Sequence, residues 1–324
     1  MASRIPRREF LAGMGVLAAV SAASSIPCNA MFSPDPIYPP IDLSYFAKPI
    51  SAAPAEIRLG YAAITWGGND RQAIADIAGL GFHGIQLRAN CIAEFGGPVE
   101  LKKLLEKNEL RMVALSSGAV SVDPAKEAAE IARHSANAKF VKDAGGLYLQ
   151  VTDERPANRP IASADYSRLG RLLTEIGKRT ADLGITLGYH NHMGSMGERP
   201  EEVDKILQAV DSRYARLELD IAHYFQGGGD PAKAIEEYKD VLLFLHIKDV
   251  EHLPASAQSK ETYRFVELGR GLVDLPAVFN ALNKVNFRGW AIVELDDVPD
   301  KTRTPKESAA ISKEYLEERL GLRV

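Results

Sequence analysis

Little in this chain points to disulfides, nucleic acid or a nucleotide fold. The 324 residues contain two cysteines, Cys28 and Cys91, with neither a CxxC nor a zinc-ligand spacing. No disulfide framework is implied, and Cys91 reads as a buried apolar thiol. No block of Lys or Arg interrupts a formal net charge of −4, which speaks against a nucleic-acid-binding face. The turn after the first apolar run is Trp66-Gly67-Gly68-Asn69 rather than GxGxxG, so a doubly wound dinucleotide fold lacks its phosphate turn. What is present, 46% apolar and 25% charged residues, is ordinary globular composition.

Residues 1–30 read as an export signal. Arg4, Arg7 and Arg8 precede a mild Ala- and Gly-rich apolar run from Leu11 to Ala23, with Ala22 or Ala30 as cleavage positions. Arg7-Arg8-Glu9-Phe10-Leu11 is similar to the twin-arginine motif that exports folded proteins. A periplasmic or secreted protein is expected. The apolar run is too short for a membrane span, and Pro27 fits poorly before a lipid-bearing Cys28. Residues 31–56 hold six prolines, which exclude a long helix or central strand and leave a linker or arm.

From residue 57 to the end, strand and amphipathic helix alternate. Short apolar runs at Ile57–Ile64, Gly84–Leu87, Arg111–Ser116, Gly146–Val151, Ile185–His190, Arg216–Ile221, Leu242–Ile247 and Gly289–Glu294 read as strands. Between them lie helical segments such as Val99–Asn108, Pro124–Ala144 and Ser167–Leu183, several opened by Asp-Pro or closed by Gly. Eight such units predict one α/β domain, a (β/α)8 barrel over 57–324.

In such barrels chemistry gathers at the C-terminal strand ends. The last four ends here read Tyr189-His190-Asn191-His192, Asp220-Ile221-Ala222-His223, His246-Ile247-Lys248-Asp249 and Glu294-Leu295-Asp296. Asp220, His246 and Glu294 each close an apolar run, where an unpaired imidazole or carboxylate is costly. One divalent cation (Mn2+, Co2+, Fe2+, Mg2+ or Zn2+) would answer that cost, and these donor types do not choose among them. Lys248 follows His246 by two residues and shares its side of the strand if the alternation continues. Trp66 is a candidate wall for a substrate ring, and Gln86 a candidate for a hydroxyl. Arg270, in Gly269-Arg270-Gly271, would touch substrate or lie in solvent.

These stretches, with Gly227-Gly228-Gly229-Asp230-Pro231, Asp274 and Gly289-Trp290, resemble the xylose-isomerase-like sugar isomerase/epimerase superfamily, and most closely its inosose dehydratase-like members. The resemblance implies metal ligands from strands five to eight. Asp220, His246 and Glu294 fit the last three. Strand five offers His190 where the epimerases carry Glu, so His190 or Gln150 would complete the set. That departure, which removes one of the epimerases' two opposed carboxylates, favours a lyase or dehydratase acting on a keto-cyclitol or 3-keto-sugar. Glu294 or His192 would take the proton and His223 or Lys248 assist the leaving oxygen, with Asn191 near the substrate. The alternatives are a sugar isomerase or epimerase, a barrel endonuclease for abasic DNA, and a non-catalytic carbohydrate-binding barrel.

Overall fold

A computed structural model describes residues 55–254 and 262–324. The export-signal, linker and arm expectations therefore lie outside the described residues, as does Cys28. Strands β1 (Glu56–Ala62), β2 (Gly84–Arg88), β3 (Arg111–Val120), β4 (Tyr148–Asp153), β5 (Thr186–His190), β6 (Ala215–Asp220) and β7 (Leu242–Ile247) pair in chain order, all parallel. A later strand, β10 (Arg288–Val293), pairs with both β7 and β1 and closes the barrel. Each apolar run therefore buries both faces, one inside the barrel and one beneath helices, which is why the strands carry few polar residues before their ends.

Helices α1 (Asp70–Gly79), α2 (Cys91–Phe95), α3 (Pro98–Lys107), α4 (Glu127–Asp143), α5 (Ser163–Ala181), α6 (Pro200–Ala209), α7 (Ile221–Gln226), α8 (Pro231–Glu237), α9 (Leu275–Lys284) and α10 (Pro305–Glu314) follow the strands. Asn69, Asp230, Asp274 and Thr304 cap helix N-termini with side-chain oxygens. Asp123-Pro124 does not open a helix. Asp123 instead accepts from Ala125 N in a turn, and α4 begins at Glu127.

Three features differ from the expected pattern, and each shapes the site. The first strand stops at Ala62, and Ala63–Trp66 coil into a 3-10 turn. An antiparallel hairpin of β8 (Asp249–His252) and β9 (Tyr263–Val266) stands between β7 and the last barrel strand. Strand β3 bulges between Ser116 and Ala119. There Gly118 adopts φ +90°, which a side chain would strain, and both Ser116 and Gly118 line one cavity at the barrel mouth. Ser117 turns away and meets His134 Nδ1 at 2.6 Å, with Asn137 Nδ2 donating to the same hydroxyl. Burial pushes the His134 pKa down to about 3, so the ring is a neutral strut.

The hairpin is tied down by one carboxylate. Asp249, buried, accepts the N–H groups of Val250, Gly269, Gly271 and Val273. A Cβ on Gly271 would lie 2.2 Å from Asp249 Oδ1 and 2.5 Å from Val250 O, so no side chain fits beside the hub. Gly271→Ala is expected to cost about 1–3 kcal/mol, as overpacking usually does. The check is the denaturant midpoint; an unchanged midpoint would remove the hub from the account.

Candidate active site

At the C-terminal mouth a cavity of about 230 Å3 is lined by Gln86, Arg88, Gln150, His190, His192, His246, Glu294 and Asp296 among others. Behind it, on β6, the buried Glu218 and Asp220, two residues apart, share the inward face. Asp220 does two jobs. Its Oδ1 accepts from Ala222 N and His223 N and caps α7, while its Oδ2 is buried with no hydrogen-bond partner. Asn191 fixes this strand end by exchanging hydrogen bonds with the Asp220 backbone N–H and carbonyl.

His246 faces that free oxygen. Its Nδ1, also buried and unpartnered, lies 3.6 Å from Asp220 Oδ2 and 3.4 Å from Glu294 Oε1. Its other nitrogen, Nε2, bonds to Gln86 Oε1 at 2.9 Å and lies 2.7 Å from Glu218 Oε1. Glu218 is also 3.7 Å from His190 Nδ1, so one buried carboxylate stands behind both imidazoles. An acceptor behind the outer nitrogen fixes the ring with its inner nitrogen facing the site, the arrangement found around metal-binding histidines. His190, Asp220 and His246 offer donor atoms all within 4.8 Å of one another. His190, His192 and His223 form a second such trio, but the unpartnered Asp220 and His246 atoms belong to the first.

Lys248 is the single residue between β7 and β8. It is fully buried, with Nζ 2.9 Å from Glu294 Oε1, 2.6 Å from Asp296 Oδ1 and 3.9 Å from Asp220 Oδ2. Phe265, reaching in from β9, places its ring 4.0 Å from the ammonium. Burial opposes charging Lys248, but Glu294, Asp296 and Asp220 outweigh it and raise its pKa. Burial likewise opposes ionisation of Asp220 and Glu294. His223 and Lys248 outweigh it for the first, His246 and Lys248 for the second, and both stay ionised. His246 is raised well above the usual imidazole range: burial resists its charge, and Glu218 and Glu294 overcome it. Three carboxylates (Asp220, Glu294 and Asp296) thus surround one buried ammonium, with Glu218 behind His246, a field that favours a further cation.

The sequence candidates separate into three groups. Gln86, Gln150, His190, His192, His246 and Glu294 line the cavity. Asp220, Asn191, His223 and Lys248 are buried behind it. His223 accepts from Met193 N through Nδ1 and stacks 3.9 Å from His192, so it supports that ring rather than facing the cavity. Burial drives its pKa well down. Trp66 and Arg270 do not reach the cavity. The 3-10 turn carries Trp66 sideways into the core, where its Nε1 donates to Asp76 and its edge meets Tyr61. Arg270 pairs with Glu267 3.7 Å away, lining a separate surface cleft. Glu218, Asp296, Arg88 and Phe265 were not singled out by sequence. Leu217-Glu218-Leu219 reads as ordinary alternation, and only barrel closure turns that carboxylate inward.

A family model described as the xylose isomerase-like TIM barrel matches residues 74–319. The chain belongs to this family. Within the xylose isomerase-like barrels, an inosose dehydratase of Lacticaseibacillus casei is 25% identical over 299 residues, 82% of this chain and 98% of the relative. Among solved structures, an IolI protein with a bound zinc atom has a TM-score of 0.66 at 18% identity, covering 81% of this chain and 97% of that one. A 3-keto-D-glucoside 4-epimerase from E. coli has a TM-score of 0.62 at 16% identity, covering 79% and 98%. The expected fold and family are therefore met.

Removing the acceptor behind the two imidazoles tests the proposed ligand set. Glu218→Gln is expected to weaken divalent-ion affinity by about 10–100-fold, as loss of such supporting groups does. Titration calorimetry with Mn2+ measures it; unchanged affinity would show that Glu218 does not orient ligands.

Proposed function

We propose that this chain is a metal-dependent lyase that eliminates water from a keto-cyclitol, or the anomeric substituent from a 3-keto-sugar. The carrying observation is the pair of buried, unpartnered atoms, Asp220 Oδ2 and His246 Nδ1, 3.6 Å apart beside a polar cavity sized for one ring. Asp220, His246 and His190 would hold a divalent cation, with Glu294 beside them at His246. When bound, such an ion supplies Lewis acidity toward a ketone and its neighbouring hydroxyl. The dehydratase relative supports the reaction class, and the zinc-bound neighbour is consistent with a metal in this fold.

Among the cavity-lining groups, His192 is the one suited to move the proton. Its Nδ1 is engaged with the Met193 carbonyl at 2.6 Å, which makes Nδ1 the donor and leaves Nε2 as the basic nitrogen. Burial, with the nearby His190, lowers its pKa and keeps the ring neutral. His192 would take the proton from carbon next to the ketone and give it to the oxygen leaving the adjacent carbon, a hydroxyl in the cyclitol and the glycosidic oxygen in a 3-keto-glycoside. The C–H and C–O bonds break, a C=C bond forms in conjugation with the ketone, and water, or the alcohol of a glycoside, departs. Glu294, held by Lys248, is less free to act as the base. Gln86, Gln150 and Arg88 would bind the remaining hydroxyls.

Mn2+-loaded protein supplied with 2-keto-myo-inositol, 3-keto-glucosides and free ketoses, followed by NMR, tests this. Loss of water from 2-keto-myo-inositol, or of the aglycone from a 3-keto-glucoside, supports the lyase. Conversion at constant mass would select the second reading, a sugar isomerase or epimerase, which the keto-glucoside epimerase neighbour keeps in view. We further propose export through residues 1–30. Changing Arg7 and Arg8 to Lys should retain the protein inside the cell, read by fractionation.

A further inference from the structure

The ring-sized cavity does not account for all the space at the mouth. A second cavity of about 530 Å3 lies between the hairpin and the segment following β10, bordered by Tyr263, Arg264, Phe265, Asp296, Asp297 and Lys301. Asp296 borders both cavities, so the two meet at its carboxylate. The first, at about 230 Å3, is below the roughly 300–1,000 Å3 of clefts that hold drug-sized ligands and suits a single ring. The second is more than twice as large and holds none of the candidate metal ligands.

Its chemistry is that of a sugar-binding surface. Tyr263 and Phe265, 5.6 Å apart and edge to face, offer apolar ring area. Asp296, Asp297, Arg264 and Lys301 add acceptors and donors around it. Phe265 also covers Lys248, whose ammonium pairs with Asp296.

We infer that the substrate is a keto-glycoside whose second sugar occupies this cavity, while the keto ring lies against His192 and Glu294. His192 takes the proton next to the ketone and returns it to the glycosidic oxygen, the C–O bond to the second sugar breaks as the C=C bond forms, and that sugar leaves as an alcohol. This rests on the lyase reading for the ring in the first cavity, but the second subsite has its own readout. Phe265, Tyr263 and Asp296 would then select for the substituent rather than for the reacting ring.

The test compares kcat/KM for the 3-keto derivative of a glucose disaccharide, a 3-keto aryl glucoside and 3-keto-glucose, using Mn2+-loaded wild type, Tyr263→Ala and Thr262→Trp. Thr262 is exposed at the cavity rim, where a Trp would fill space without disturbing the core. The disaccharide should be preferred over 3-keto-glucose by tenfold or more in wild type, on the order of one well-placed contact. Both variants should erase most of that preference. Equal kcat/KM for disaccharide and monosaccharide, or a stronger preference for the aryl glucoside, would overturn the inference. If wild type turns over none of them, the lyase reading falls while the subsite is still tested by saturation-transfer NMR on the unoxidised disaccharide. Saturation of both rings in wild type and of one in Thr262→Trp supports the subsite; the same pattern in both proteins refutes it.

Discussion

A His192→Gln enzyme is expected to keep its metal and lose turnover by about 10²–10⁴-fold, the range a general acid–base group contributes. The geometry separates this ring from its neighbours. His192 Nδ1 is tied to the Met193 carbonyl, its face is supported by His223, and its other nitrogen has no partner fixing it elsewhere. Gln preserves the bulk and one polar contact but cannot accept and return a proton. Metal content by plasma emission and single-turnover kinetics on the keto substrate give both readouts. If metal and turnover vanish together, the His190, His192, His223 trio is the ion's seat and the role assigned to His192 is wrong.

The second large effect falls on stability. Lys248→Met is expected to destabilise the metal-free protein by about 3–5 kcal/mol, the cost of leaving buried partners uncompensated. Its ammonium touches Glu294 and Asp296 and approaches Asp220, and it is fully buried. Without it, those carboxylates face one another. Added Mn2+ should therefore raise the melting temperature of the variant more than that of wild type, because an ion binding only the folded state stabilises it by mass action. Equal shifts in the two proteins would mean that Lys248 and the ion do not answer the same negative field.

Most of the architecture was readable because barrel strands are short apolar runs that end abruptly in polar residues. Asp220, His246 and Glu294 stand out by that rule, and the spacing from His246 to Lys248 correctly placed both on one side. The rest was hidden for identifiable reasons. Glu218 sits within an alternating strand, and alternation cannot say which face is interior until the sheet closes. Trp66 follows a run that looks like continuing strand, yet the chain coils after Ala62 and turns the indole into the core. The hairpin is formed by two four-residue strands separated by residues 253–262, too short for periodicity to register. Asn191, expected near the substrate, holds the β6 terminus instead, a task visible only once β5 and β6 are neighbours.

The closure of β1 onto β10 has a kinetic meaning. Glu56 and Arg288 pair across 232 positions, and six register pairs join the two strands. Until the chain has been synthesised through the last strand, β1 and β7 each present an open edge, and such distant pairings form late and slowly. Glu294 follows that strand directly, so the catalytic mouth and the sheet are finished in the same event.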